Sequence, residues 1–363
     1  MSSIAFGSPS RYIQGLGELF RLPLHTEKYA GVVFALIDTY FYEELSRELA
    51  ERYAAGNQKF FSAPFSGEIT KEKIEGYCDQ AAEYGAEVII GVGGGKTLDT
   101  AKAVAAHGRA LIVVPTSAST DAPTSAMSVI YNDRNEHADV YYYDKNPDLV
   151  LVDSSIIAQA PVRFLIAGMG DALATVYEAR ASVRTGSPNY IDQKTGPYLA
   201  TRTAREIAEV CGRTILEHGA DAKEANALHE CNDALESVIE ANTLMSGLGF
   251  ENVGCAASHV ICNGISATPE GAGALHGEKV AYGILCQLTA EEEWEELNKI
   301  RAFYRTVGLP LHLADMGVPA TEENLRIICA DTIHTEWSRE PFEMNDEKVY
   351  QVLRQVEQMG REE

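Results

Sequence analysis

The stretch Glu87–Ala103, EVIIGVGGGKTLDTAKA, decides the fold. An apolar run, Val88 to Ile90, stops at four glycines within five positions: Gly91, Gly93, Gly94 and Gly95. Leu98, Ala101 and Ala105 then share one face of a helix. The pattern is a strand, a tight turn and a helix N-terminus. Without side chains at the turn, backbone N–H groups can approach a ligand closely, and the helix end adds partial positive charge. A phosphate or pyrophosphate is the natural guest. A Walker A loop requires glycine where Ile90 stands. A dinucleotide fingerprint begun at Gly91 and Gly93 requires glycine where Lys96 stands. The loop alone therefore does not choose between ATP and a dinucleotide. A plain glycine-rich turn would not require the entropy that four clustered glycines cost.

Outward from this loop, the first half alternates strand and helix. Strands are expected at Val32 to Ile37, Lys59 to Ala63, Glu87 to Ile90, Leu111 to Val114 and Leu149 to Val152. Helices are expected at Tyr42 to Tyr53 and Lys71 to Tyr84, after an irregular first 25 residues with a short strand or two. This spacing implies a parallel sheet with crossovers, whose ligands sit beyond the carboxyl ends of the strands. Asp38, the glycine loop and Pro115-Thr116-Ser117 occupy such ends and are expected to converge on one cleft. Asp38 can accept hydrogen bonds from ribose hydroxyls, favouring NAD over NADP, or it can cap the helix that follows. It lies upstream of the glycine loop, the reverse of the usual order. Met127 to Tyr131 and His137 to Tyr143 read as a hairpin around Asn132-Asp133-Arg134-Asn135. After Asp153 helices dominate: 161–184, 194–218, 222–246, 251–267, 276–290, 292–307, 322–334 and about 346–359. The boundary falls near residues 154 to 160, giving domains 1–157 and 158–363.

A chain of 363 residues, 45% hydrophobic and 23% charged, has ordinary globular composition for about two domains. Its net charge of −23 argues against a nucleic-acid footprint or an anionic membrane surface. The longest apolar run, Val32 to Ile37, is too short to span a bilayer, and MSSIAFGSPSRYIQ has no signal-peptide core. Seven cysteines without CxxC spacing read as mostly buried free thiols of a cytoplasmic protein.

The second half offers Asp171 in GMGDALAT, His259 in CAASHVICNG and His276 in GALHGEKVAYG. Two imidazoles and a carboxylate suffice for a catalytic zinc with an open position. Each lies among small residues, where helices pack closely. Their spacing is not a local motif, and a core or helix-end histidine is the plainer reading of each imidazole alone.

GVGGGKTLDTAKA, PTSASTDAPTSAMSVIY, KNPDLVLVD, AGMGDALATVYEARA, EANTLMSGLGFEN and HGEKVAYG together resemble the glycerol dehydrogenases of the group III, iron-type alcohol and polyol dehydrogenase superfamily. The resemblance runs from about residue 12 past residue 310. It implies a Rossmann-like α/β domain followed by an all-α domain, the dehydroquinate synthase-like fold. It also implies Asp171, His259 and His276 as zinc ligands, Gly94, Gly95, Lys96 and Thr97 as the pyrophosphate loop, and Asp38 as the adenosine-ribose acid. Thr116, Ser119, Ser125, Met127 and Tyr131 would line NAD near its nicotinamide half. Asp121 would contact the polyol, and Phe250 would stand near the substrate pocket. The implied reaction is reversible oxidation of glycerol to dihydroxyacetone. Zinc would lower the pKa of the bound hydroxyl, and hydride would pass from the resulting alkoxide to NAD. A homo-oligomer, commonly an octamer, is implied as well.

The chain departs from this pattern in four places. Cys262 stands where such enzymes usually carry a second histidine. Three residues after His259, it would share a helix face with that ligand and could border the metal site, although a neutral, packed thiol is the plainer reading. Thr175 stands where iron-dependent relatives carry a fourth ligand histidine, which favours zinc. ISATPEGAGAL and HTEWSREPFEM also differ, and either could alter the substrate pocket. Another vicinal diol or a 2-hydroxy acid is therefore an alternative substrate, although Asp121 argues for a diol. A dehydroquinate synthase-like lyase would need a basic cluster for phosphate, and only Lys279 lies near the ligands. A P-loop hydrolase is opposed by Ile90 and the lack of a Walker B acid. A non-catalytic NAD-binding protein would leave the ligand set unexplained.

Overall fold

The apolar runs of the first half form strands because β-branched and aromatic residues there can be covered on both faces. The computed structural model describes residues 3–29, 31–56, 58–131, 137–332 and 336–361, with backbone alone at 131, 137, 138, 331, 332, 336, 338 and 361. In chain order the first elements are β1 (Ile4–Ala5), β2 (Tyr12–Gly15), α1 (Leu22–Thr26), β3 (Val32–Asp38), α2 (Thr39–Ala54), β4 (Lys59–Phe65) and α3 (Lys71–Tyr84). β5 (Val88–Gly93), α4 (Gly95–Ala105), β6 (Ala110–Pro115), β7 (Met127–Tyr131), β8 (His137–Tyr142), β9 (Leu149–Asp153) and α5 (Ser154–Gln159) follow. The remainder holds α6 (Val162–Thr185), β10 (Leu199–Ala200), α7 (Arg202–Ala227), α8 (Asp233–Glu240) and α9 (Ser246–Val253). It ends with α10 (Ala257–Ser266), α11 (His276–Ala290), α12 (Trp294–Val307), α13 (Glu322–Thr332) and α14 (Asp346–Arg361).

The chain divides into two compact units. One comprises Gly7–Ala118 and Ala122–Ala160. The other takes the segment up to Phe6, Ser119–Asp121 and Pro161–Glu363. The units thus do not follow the single cut after residue 157 that composition suggests. The three residues Ser119–Asp121 belong with the helices although they lie deep within the first half.

In the first unit six strands form one parallel sheet in the order β2-β9-β6-β5-β3-β4. Every residue of β5 and β9 is buried. Val33, Ile37, Ile90, Ile112 and Leu151 pack with Leu45, Leu49 and Tyr53 of α2 in one core. Asp38 caps α2, its Oδ1 accepting the Tyr40 N–H at 2.9 Å. β7 and β8 pair antiparallel. Their expected turn, Asn132 to Asn135, lies outside the described residues.

The second unit is helical but partitioned differently from the expectation. The helix expected at 194–218 runs instead from Arg202 to Ala227. Pro197 has no N–H to give a helix, Leu199 and Ala200 pair with β1, and Thr201 Oγ1 caps α7 by accepting the Ala204 N–H at 3.1 Å. The expected helix 222–246 is divided where His229 takes φ 58° and Asn232 caps α8 through the Leu235 N–H at 2.9 Å. α8 then continues through a π-helical turn, Ala241–Met245, into α9. The expected helix 251–267 is interrupted at Gly254, whose φ of 112° a side chain would oppose. Among the described residues no helix is long and apolar enough to cross a membrane.

Candidate active site

In the sheet unit, the turn after β5 is as tight as its glycines require. A Cβ on Gly93 would lie 2.5 Å from Thr97 Oγ1 and 3.1 Å from Asp38 Cβ, so Asp38 and the loop are neighbours. Gly94 caps α4 without a side-chain hydrogen bond. Thr116 follows β6 and donates its N–H to Gly93 O at 3.1 Å. Three strand ends, at Asp38, the glycine loop and Thr116, are thereby gathered. Lys96 is ion-paired with Glu68, and Thr97 is buried.

Ser125 and Met127 are gripped from beneath by Lys102, a residue given no role in the sequence reading. Its buried ammonium donates to Ser125 Oγ at 3.1 Å, Met127 O at 2.9 Å, Ala122 O at 2.5 Å and Asp99 Oδ1 at 3.0 Å. Asp99 in turn accepts the Val129 N–H at 3.1 Å. Tyr131 stands at the end of β7, with its side chain outside the described residues.

In the helical unit, α6, α10 and α11 deliver the three proposed ligands to one point. Asp171 Oδ1 lies 3.5 Å from His259 Nε2 and 3.4 Å from His276 Nε2. The helices approach this closely because glycine lines their crossing. A Cβ on Gly277 would sit 1.8 Å from Ala167 O, and one on Gly170 would sit 2.4 Å from Gly277 O. Asp171 is buried, while 43% of the His276 side chain is exposed, so the cluster is open to solvent on the His276 side.

Glu178, seven residues after Asp171 on α6, fixes the first imidazole. Fully buried, it accepts the Ala256 N–H at 2.8 Å, the His259 N–H at 2.9 Å and His259 Nδ1–H at 2.7 Å. With that proton on Nδ1, Nε2 is the nitrogen that faces Asp171, free to offer its lone pair once it is deprotonated. Glu178 was not singled out in the sequence. Its signal was a second acid on the Asp171 face of the helix, the two separated by the mostly apolar run Ala172–Tyr177.

Asp121 joins the cluster through its backbone, donating its N–H to Asp171 Oδ2 at 3.2 Å. Its own Oδ2 accepts Ser246 Oγ–H at 2.9 Å, and Ser246 Oγ lies 3.1 Å from Thr175 Oγ1. Thr175 is thus part of a hydroxyl chain that ends on Asp121, and Ser246 opens α9 directly after the π-helical turn. Such turns are frequent at functional sites. Ser119 belongs to the same three-residue segment as Asp121. Phe250 lies further along α9, where its ring tilts against Tyr190 at 6.3 Å.

Cys262 is buried, yet it is not merely packed. Its Sγ lies 3.5 Å from His276 Nδ1. It shares a helix with His259, but its side-chain contact is with the other imidazole. Burial acts to raise its thiol, and the adjacent His276 outweighs this and lowers it.

The donor set fits a divalent cation. Asp171 Oδ1 is buried and has no hydrogen-bond partner among the described residues, while two imidazole nitrogens point at it. An orphaned buried carboxylate oxygen is costly unless a cation occupies its front. The proton equilibria carry the same information. Burial acts to raise the Asp171 carboxyl, but the charge of His276 and the approach of both rings hold it below the usual carboxylate range. Burial acts to lower His276, but Cys262 and Asp171 push it up to about 10. His259 is likewise raised, burial being outweighed by Cys255 and Glu178. Burial, then the charge of Asp171, pushes Asp121 up to about 7. The pocket is a well for positive charge, filled by protons when nothing else is bound.

Residues 9–154 match the signature of iron-containing alcohol dehydrogenases. A glycerol dehydrogenase of Thermotoga maritima is 38% identical over 364 residues, covering 97% of this chain and 96% of its own. The chain belongs to the iron-containing alcohol dehydrogenase family. A glycolaldehyde reductase of Halobacterium salinarum is also 38% identical, over 99% of both chains. The solved glycerol dehydrogenase of Schizosaccharomyces pombe superposes with a TM-score of 0.93 at 33% identity, covering 100% of this chain and 92% of that one. A probable glycerol dehydrogenase of Sinorhizobium meliloti gives a TM-score of 0.92 at 36% identity, covering 99% of each. Membership confirms the α/β-then-helical fold and makes the protein an alcohol or polyol dehydrogenase of this family.

Proposed function

We propose that this family member is an NAD- and zinc-dependent polyol dehydrogenase that interconverts glycerol and dihydroxyacetone. The observation that carries the reading is the orphaned Asp171 Oδ1 faced by His259 Nε2 and His276 Nε2 at 3.5 and 3.4 Å. These three residues would hold the metal. A divalent cation supplies Lewis acidity that lowers the pKa of a substrate hydroxyl, and NAD supplies the hydride acceptor.

The chain's own residues do the positioning. Glu178 keeps the His259 proton on Nδ1. Ser246 holds one oxygen of Asp121, leaving the other to accept a substrate hydroxyl, which suits a vicinal diol. Raised to about 7, Asp121 can hold or release a proton near neutral pH. In the sheet unit, Gly94, Gly95, Lys96 and Thr97 would receive the pyrophosphate at the start of α4. Asp38 spends Oδ1 on its helix cap, so Oδ2 would meet the ribose. Thr116, Ser125, Met127 and Tyr131, with Ser119, would line the nicotinamide half, and Phe250 would stand by the substrate.

The deciding assay is the initial rate of NADH formation from glycerol and NAD, on zinc-loaded enzyme and again after chelation. A rate that requires zinc supports the reading, and stoichiometric zinc without a glycerol rate refutes the substrate. A second reading, reduction of a small hydroxyaldehyde, is favoured by the equally similar glycolaldehyde reductase. A glycolaldehyde-dependent NADH oxidation with a higher kcat/KM than glycerol oxidation would establish it. We further propose a cytoplasmic homo-oligomer, with an octamer as the expected assembly. None of the seven cysteines, all among the described residues, forms a disulfide, which suits a reducing compartment. Light scattering of the purified protein tests the assembly, and a monomer would refute it.

A further inference from the structure

We propose that Cys262 is a positioning residue of the metal centre: its sulfur receives the Nδ1–H of His276 and holds that imidazole with Nε2 turned to Asp171. The inference rests on the metal reading above and deepens it. An imidazole that offers its Nε2 lone pair to a cation carries its proton on Nδ1, and that proton needs an acceptor. For His259 the acceptor is the Glu178 carboxylate at 2.7 Å. For His276 the Nδ1 neighbour is Cys262 Sγ at 3.5 Å.

The surroundings make the sulfur the chief restraint on this ring. His276 is the first residue of α11, and 43% of its side chain faces solvent, so packing confines it little. Cys262 itself is 1% exposed and has little freedom to leave its place on α10. Ser266 Oγ donates to Cys262 O at 2.9 Å and receives Lys279 Nζ of α11 at 2.6 Å, which ties the two helices together beside the contact. One turn of α10 therefore supplies both a ligand, His259, and the outer partner of the ligand on the neighbouring helix. Sulfur accepts a hydrogen bond more weakly than a carboxylate. His276 is accordingly the more loosely held of the two imidazoles, and the identity of residue 262 sets how tightly the centre keeps its metal.

The test is zinc affinity, measured by competition with a chromophoric chelator, for the wild type, C262V, C262S and H276A. The absorption spectra of the cobalt-substituted proteins are recorded alongside. Valine keeps the bulk and removes the acceptor. Serine keeps an acceptor. C262V is expected to lose about tenfold or more in zinc affinity, as outer partners of metal-binding histidines usually cost on mutation. C262S is expected to remain within a few-fold of wild type, with the metal-free forms melting alike. If C262V does not fold, C262A carries the same expectation. Wild-type affinity in C262V overturns the proposal. So does a thiolate-to-cobalt charge-transfer band in the wild type that C262S loses, because the sulfur would then be a ligand. Where H276A loses zinc and C262V does not, only this inference fails. Where the wild type binds no zinc, the metal reading fails with it.

Discussion

Replacing Glu178 by glutamine separates the chemical role of this buried carboxylate from its structural one. The glutamate accepts three hydrogen bonds, from Ala256 N–H at 2.8 Å, His259 N–H at 2.9 Å and His259 Nδ1–H at 2.7 Å. Glutamine retains one carbonyl oxygen, enough for the two backbone donors. Its amide NH2 then faces Nδ1 of His259. Two donors cannot share that contact, so the imidazole must move its proton to Nε2, the atom aimed at Asp171. The lone pair needed for a metal is lost unless the ring turns away.

The cost to the metal-free fold follows from exchanging charge-assisted bonds of about 1.5–3 kcal/mol for neutral ones of about 0.5–1.5 kcal/mol. Over the two backbone donors this comes to about 2 kcal/mol, tolerable within a total of about 5–15 kcal/mol. Alanine would instead orphan both buried donors at about 1–3 kcal/mol each. E178Q should therefore fold, lose about 2 kcal/mol in urea denaturation, and bind zinc about 10–100-fold more weakly. The assay pairs a chelator-competition titration with denaturation of the metal-free protein. Reduced stability with wild-type zinc affinity would show that Glu178 is only a cap for α10, and the tautomer reasoning would be wrong.

Lys102→Met should destabilise the sheet unit by about 3 kcal/mol or more, because it strands the buried Asp99 and frees the loop that carries Ser125 and Met127. It should also raise the KM for NAD, and an unchanged denaturation midpoint would refute this. Gly277→Ala places a methyl 1.8 Å from Ala167 O, so α11 must move off α6. A loss of about 1–3 kcal/mol and a weakened metal site are expected by calorimetry and zinc titration. In the metal-free protein His276 is raised from 6.5 to about 10, so it contributes stability fully below pH 6.5 and loses that contribution as pH rises to about 10. The melting temperature of chelated enzyme should fall across that window, and saturating zinc should flatten the slope. A chelated enzyme whose melting temperature is independent of pH there would contradict the raised imidazole.

The sheet was legible because its signals are local. Each strand is a short apolar run, and the glycine loop announces a turn that no bulky side chain could make. Helix existence was legible for the same reason, but helix ends were not. The residues from Lys194 to Thr201 contain enough apolar character to extend a helix. The proline at 197 and the pairing of Leu199 and Ala200 with β1 withdraw them from one. That pairing joins residues almost two hundred positions apart, and no window along the chain contains it. The attachment of Ser119–Asp121 to the helical unit was hidden likewise, since its contacts there, Asp121 N–H to Asp171 and Ser246 Oγ–H to Asp121, join residues far apart in the chain.

At the site, the proposed ligands were reached through resemblance and their partners were missed. The reason is physical. A metal ligand in a small-residue setting looks like any polar residue on a close-packed helix, and its outer partner is fixed by how helices cross. Spacing put Cys262 beside His259, whereas the packing of α11 against α10 puts its sulfur on His276. Glu178 is the instructive miss, because its signal was local after all. Burying a carboxylate without compensation is far costlier than leaving it at the surface, so an acid on the inward face of an apolar helix must have donors waiting. Asp171 and Glu178 lie two turns apart on such a helix, and the donors proved to be the start of α10 and the His259 ring. Thr175, between them on the same face, meets Ser246 and through it Asp121. One stripe of α6 thus organises a proposed ligand, the partner of a second and the support of the proposed substrate acid. A change at residue 178 should consequently perturb the proposed metal centre before it perturbs the fold.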